Sequence, residues 1–243
     1  MYILSFETTG NICSAALIDE NSNIIMRTSD ERMSHLRELM AMSESIIAEA
    51  GISKSEITAV SASAGPGSFT GIRIGVTSAR TVAQALGVKC ISVSSLEIFR
   101  QFADESRRIA VIFNARRGQV YGAVFDHDGK ALLAPGPYML EDVLEVCDKF
   151  DDVVFYGDGV DAYRERLEGR DFAPEEERYQ TADMVAKEAL SKYRLGEVLS
   201  YEEFMPDYMR IAEAEQKLKD GTLEKQRAAK LAKFRGTDVR DKN

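Results

Sequence analysis

The chain has 243 residues, 44% of them hydrophobic and 29% charged, enough for one large core or two modest ones of about 100 residues each. Its net charge of -9 argues against a surface that grips nucleic-acid phosphates unaided, and no run of about 18 apolar residues is present to cross a membrane. Cys13, Cys90 and Cys147 are dispersed, without the spacing of a disulfide framework or a zinc site, and are expected to be reduced, buried thiols in a cytoplasmic protein.

The first residues lack the basic flank of a signal peptide and read as a strand. Short β-favouring runs at 2–6, 14–18 and 23–28 are separated by Thr8-Thr9-Gly10-Asn11 and Asp19-Glu20-Asn21-Ser22, which predicts a meander of hairpins. From 32 to 50 the apolar residues recur at three and four, a helix stopped by Gly51. A strand at 57–64, a tight loop, a helix at 71–86 closed by Gly87 and a strand at 89–93 make a crossover unit. Ser94 or Ser95 can cap a helix running to about 104.

The pattern then restarts. Runs at 109–113 and 119–126 flank Asn114-Ala115-Arg116-Arg117-Gly118, and Asp126-His127-Asp128-Gly129 is a hairpin signal before 130–133. A short helix at 140–147, a strand at 153–156 and a helix at 181–195 capped by Thr181 and stopped by Gly196 follow. The second half therefore reads as a diverged copy of the first. The predicted organisation is an α/β protein with lobes at 1–106 and 107–212 and a charged, partly disordered tail at 213–243.

The stretch Ser63-Ala64-Gly65-Pro66-Gly67-Ser68-Phe69-Thr70-Gly71-Ile72-Arg73 fails both common phosphate-loop patterns. A P-loop needs Lys and Ser or Thr directly after its last glycine, and the dinucleotide fingerprint needs a glycine where Thr70 stands. Two readings stay open. Free amides at a helix start favour an anion, or the glycines serve close packing of loop and helix. The polar hairpin Glu7, Thr8, Thr9 has an acid at its mouth, suited to a phosphate and its metal, and Gly67 and Ser68 complete that candidate anion site. The matching second loop offers Arg116 and Arg117 but no acid, so it could pair with an anion without holding a magnesium ion.

Methionines and leucines wrap more of the 32–50 helix than one core-facing stripe needs, so two readings stand: a face for a protein partner, or a helix buried in its own chain. Gly75, Ala79 and Ala83 form a small-residue ridge on the next helix. His35 has Leu39, not a second histidine, one turn later, so a helical metal pair is missing. His127, the other histidine, sits in an Asp-rich turn and reads as solvated.

Taken together, "ILSFETTGNICSAAL", "GPGSFTGIRIG", "SARTVAQALGV", "NARRGQVYGAVF", "YGDGV" and "MPDYMR" resemble the bacterial TsaB (YeaZ) family, over residues 2 to about 210. The resemblance implies a duplicated actin/Hsp70/sugar-kinase-like (ASKHA) fold with two lobes. It also implies a non-catalytic subunit that dimerises with TsaD, the catalytic subunit in tRNA threonylcarbamoyladenosine biosynthesis (N6-threonylcarbamoyl, adenosine 37), and helps recruit the ATPase TsaE. The implied partner interface comprises Met33, His35, Leu36, Leu39, Met40, Ile47, Arg73, Val76, Arg80 and Ala83. No catalytic residue, no metal and no cofactor of its own are expected, with at most weak ATP or ADP binding in the complex. The expected tRNA contacts lie on the partner, with no membrane contact and with homodimer formation when the partner is absent. Glu7 stands where the wider superfamily has Asp, and its extra methylene would displace a metal-bound water. The rival readings are an independent ASKHA-type ATPase or small-molecule kinase, and a peptidase.

Overall fold

The computed structural model describes residues 1–29 and 35–209, the side chains of residues 35–37 excepted. The first half forms strands β1 (Tyr2–Glu7), β2 (Ser14–Asp19) and β3 (Ile24–Thr28), helix α1 (His35–Glu49), β4 (Ile57–Gly65), α2 (Phe69–Leu86) and β5 (Lys89–Ser94). Its sheet has the order β3-β2-β1-β4-β5, with β1, β2 and β3 antiparallel and β1, β4 and β5 parallel. The second half repeats the plan with β6 (Arg108–Asn114), β7 (Gln119–Phe125), β8 (Ala131–Met139), α3 (Leu140–Cys147), β9 (Val153–Tyr156), α4 (Gly159–Ala162), β10 (Asp171–Phe172) and α5 (Ala182–Arg194). Its sheet order, β8-β7-β6-β9-β10 read from the same end, matches the first strand for strand.

The first sheet is covered on both faces, which is why β1 and β4 are almost continuously buried. Along β1 the period of two sends Leu4 and Phe6 toward Leu39 and Ile46 of α1 and Ile72, Val76, Ala79 and Ala83 of α2. Ile3 points the other way, into a cluster with Val185, Ala186 and Ala189 of α5 that continues to Ile109, Val111 and Tyr156 of the second half. Each such large apolar side chain contributes about 1.5–3 kcal/mol when fully buried. Helix α2 lies close to the sheet because its inner ridge is small. A Cβ on Gly75 would stand 2.5 Å from Thr8 Oγ1. The ridge of Gly75, Ala79 and Ala83 is therefore internal packing.

Three expectations change. The chain does not stay with its own lobe after the second repeat: α5 packs on β1, β2 and β5, Leu199 pairs with Cys90 of β5, and Phe204 is buried in the first lobe's core. A boundary at 106/107 describes the sheets but not the packing. In place of a helix after Ser95 there is a 3-10 turn at Glu97–Phe102. Strand β8 runs to Met139 through Pro135 and Pro137, tolerated because it is the sheet's edge. The segment 30–34 and the tail 213–243 lie outside the described residues.

Candidate functional site

The glycine-rich loop links β4 to α2, and what it touches is the chain itself. Ser68 caps α2, its Oγ accepting from Gly71 N at 3.2 Å. Its own amide donates to Thr9 O at 2.8 Å. A Cβ on Gly67 would lie 2.7 Å from Thr9 O, and one on Gly71 closer still to Thr8 O. Thr8 Oγ1 donates to Gly71 O at 2.7 Å. These glycines let the β1–β2 loop press its carbonyls onto the loop and helix start, so close packing, the second of the two readings, accounts for them.

Glu7 is fully buried beneath this junction. One carboxyl oxygen takes the amide and hydroxyl of Thr9, at 2.5 and 2.6 Å, and the other meets Ser63 Oγ. Burial pushes the Glu7 pKa above the usual carboxylate range, although these hydrogen bonds pull it down. Ser95 Oγ accepts from Thr9 Oγ1, and Gln180 Nε2 reaches the same hydroxyl oxygen at 3.4 Å. The expected acid mouth is thus a buried knot of hydroxyls around a carboxyl. Glu7, Thr8, Thr9, Gly67 and Ser68 are brought together as expected. Gln180, from the far end of the sequence, was not visible to local reasoning.

The second repeat builds its counterpart differently. Asn114 N donates to Asp158 Oδ1 at 2.9 Å, and Arg116 N to Asn114 Oδ1 at 2.8 Å. Arg116 and Arg117 are exposed, at left-handed φ values of 66 and 56°. They form the tip of the β6–β7 hairpin.

The proposed partner face needs redrawing. Leu39, Ile47, Val76 and Ala83 are buried in the chain's own core, because the inner stripe of each helix faces the first sheet; these four residues are corrected to core positions. Met40, Arg73 and Arg80 remain on the outer side, Met40 at 40% exposure and Arg80 partly covered. Met33 and the side chains of His35 and Leu36 lie outside the description. Three residues that the sequence did not single out join the outer group: Phe69, Met205 and Tyr208, exposed at 41%, 59% and 38%. Aromatic rings on a helix start and in a segment after the last helix carry no periodic signal, so only the three-dimensional arrangement brings them together.

His127 is not a freely solvated turn residue: its Nε2 is 2.5 Å from Asp152 Oδ2, a carboxylate that Arg108 also holds. All three cysteines are buried. Burial pushes their thiols up, to about 12 for Cys13 and Cys147 and about 11 for Cys90, which keeps them protonated and poor nucleophiles at neutral pH. Among the described residues no three His, Cys, Asp or Glu side chains gather as a metal site, and no helix is long and apolar enough to cross a membrane.

Two sheets of identical order, each a three-stranded antiparallel meander extended by parallel strands, define a duplicated actin-like α/β protein of the ASKHA class. Residues 29–216 match the family model described as TsaD: tRNA N6-adenosine threonylcarbamoyltransferase. The tRNA threonylcarbamoyladenosine biosynthesis protein TsaB of Bacillus subtilis (strain 168) is 31% identical over 228 residues, 89% of this chain and 97% of that one. TsaB of Escherichia coli (strain K12) is 32% identical over 132 residues, 53% of this chain and 56% of that one. A Pseudomonas aeruginosa structure, described as an uncharacterized protein with similarity to peptidase YeaZ, superposes with a TM-score of 0.73 at 27% identity, covering 86% of this chain and 99% of that one. The chain belongs to the TsaB (YeaZ) family.

Proposed function

We propose that this chain is the non-catalytic scaffold of tRNA threonylcarbamoyladenosine biosynthesis. It binds and activates the TsaD subunit and helps recruit the TsaE ATPase. It works without a cofactor of its own, ATP or ADP binding weakly at most at the subunit junction, and tRNA is reached through the partner. The observation that carries the reading is the seating of Thr8 O and Thr9 O against Gly71 and Gly67. The glycine-rich loop, whose free amides made it a candidate anion cradle, here grips the chain's own hairpin. The partner face is assigned to the outer side of α1 and α2, around Met40, Arg73 and Arg80, which share the first lobe's surface. The same face is assigned to self-association when the partner is absent.

The test is tRNA threonylcarbamoylation by reconstituted TsaD, the adenylate-forming ligase and TsaE, with and without this chain. Activity that depends on the chain, with no ATP turnover by the chain alone, is the expected result. Full activity without it, or ATP turnover by the pure chain, overturns the reading. Met40→Asp is expected to weaken TsaD binding at least about 100-fold, because a charge desolvated at an interface is costly, while the free chain keeps its melting temperature.

A further inference from the structure

Beyond its pairing with Cys90, the segment after α5 crosses the outer side of α2 and is pinned at two further points. Phe204 is fully buried in the first lobe's core, and the amide of Asp207 donates to Ala64 O at 2.8 Å. Between and beyond these anchors, Met205 and Tyr208 stand over α2. Arg80 Nη1 reaches Met205 Sδ at 3.5 Å. Arg73, exposed on the same side, has its guanidinium carbon 4.1 Å from the centre of the Phe69 ring and 5.9 Å from that of Tyr208. Its Nε donates to Tyr208 Oη at 2.9 Å. The two rings stack on each other at 4.8 Å and 29°.

An exposed arginine normally gives up rotamer freedom when it is captured, which weakens binding. Here two rings and a hydrogen bond have already fixed it. Its Nε is occupied, and among the described residues no carboxylate pairs with its guanidinium. The forked Nη edge matches a carboxylate in a two-pronged pair, which a lysine cannot form. Arginine beside tyrosine, phenylalanine and methionine is also the composition of interface hot spots.

The geometry points to Arg73 as a prearranged carboxylate socket. Held by Phe69 and Tyr208, it receives an aspartate or glutamate from the TsaD-type partner. This rests on the partner reading above and adds to it the anchor residue, the chemistry it accepts and a role for the segment after α5. That segment supplies Tyr208, so the socket is built from α2 and the chain's last described residues together. In a chain of net charge -9, an unpaired guanidinium on this face selects an acidic group on the other side.

The experiment is calorimetric titration of the purified TsaD subunit with the full-length wild-type chain, Arg73→Ala, Arg73→Lys, Tyr208→Phe and Met40→Asp, with thermal unfolding of each free variant. Arg73→Ala is expected to weaken binding about 100-fold and Arg73→Lys about 10-fold, since lysine keeps the charge and loses the fork. Tyr208→Phe keeps the stack, loses only the hydrogen bond, and is expected to cost several-fold. Melting temperatures stay at the wild-type value. Removing partner carboxylates one at a time should reveal one whose loss costs nothing further in the Arg73→Ala background. Wild-type affinity for Arg73→Ala, with Met40→Asp impaired, overturns the socket and leaves the partner reading standing. If Arg73→Ala unfolds, Arg73→Lys decides: wild-type affinity there overturns the proposal. Absence of binding by the wild-type chain overturns both.

Discussion

In both repeats a glycine-bearing loop leaves a parallel strand and rests on the end of the first strand of its own sheet. Gly67 and Gly71 sit against the carbonyls of Thr9 and Thr8, and Gly157 and Gly159 against the carbonyl of Ile112. The hairpins beneath these loops differ. The first, Glu7 to Gly10, is sunk into the molecule, with a carboxyl wrapped in hydroxyls. The second, Asn114 to Gly118, stands in solvent with two arginines at its tip. The contact between glycine and carbonyl therefore belongs to the fold and is inherited twice, whereas charge and exposure of the hairpin are local and have diverged.

The strongest way to break this comparison is to put a methyl group into the shared contact. Gly71→Ala and Gly157→Ala each force a Cβ into a backbone carbonyl that has no flexible end to move aside. Each should lower stability in urea denaturation by about 3 kcal/mol or more. Gly169, left-handed like Gly157 but with nothing within 4 Å of its Cβ, provides the control, and Gly169→Ala should cost about 1–2 kcal/mol. If Gly71→Ala costs no more than the control, the first loop has room for a ligand that the packing argument denies it.

An intermediate effect tests what is peculiar to the first hairpin. The folded pKa of Glu7 is raised above the ordinary value by burial. The stability it contributes is complete below the unfolded value near 4.5 and is lost as pH rises through the folded pKa. Glu7→Gln removes that dependence. The wild-type stability minus that of Glu7→Gln should fall with rising pH, at a limiting slope of about 1.4 kcal/mol per pH unit. A difference that rises with pH would mean that the hydroxyl shell holds Glu7 as a carboxylate. Asp158, whose pKa is also raised by burial, lies within the second loop itself, between Gly157 and Gly159, and should show the same sign in Asp158→Asn.

The smallest effect is expected at the second hairpin tip. Arg116 holds a left-handed φ of 66°, a conformation that costs a side-chain-bearing residue about 1 kcal/mol. Arg116→Gly should shift the melting temperature slightly upward, by less than about 1 kcal/mol in stability. A clear loss instead would show that the arginine side chain, not the backbone, holds the turn.

Much of this was readable from local pattern. The strand at Val153–Tyr156 and the helix at Leu140–Cys147 follow from residue type and period alone, and the duplication followed from the order of such elements. Which side of a helix meets its own sheet was not readable. Leu39 and Met40 are neighbours of similar hydrophobicity, yet one is core and the other is exposed at 40%. The choice depends on where β1 and β2 lie. Nor could a period reveal that α5 returns to the first sheet, since an amphipathic helix states that it needs a partner and not which one. Gln180 over Thr9 and Tyr208 over Arg73 join residues 171 and 135 positions apart, beyond the reach of any motif.

The return of α5 also fixes an order of events during synthesis. One face of β1 and β2 is closed by a helix made near the end of the described chain, so the first sheet leaves the ribosome with that face open. Its completion waits for residues 182–194. Nascent chains arrested before that point carry an uncovered apolar surface, and the synthesis of α5 closes the lobe made first.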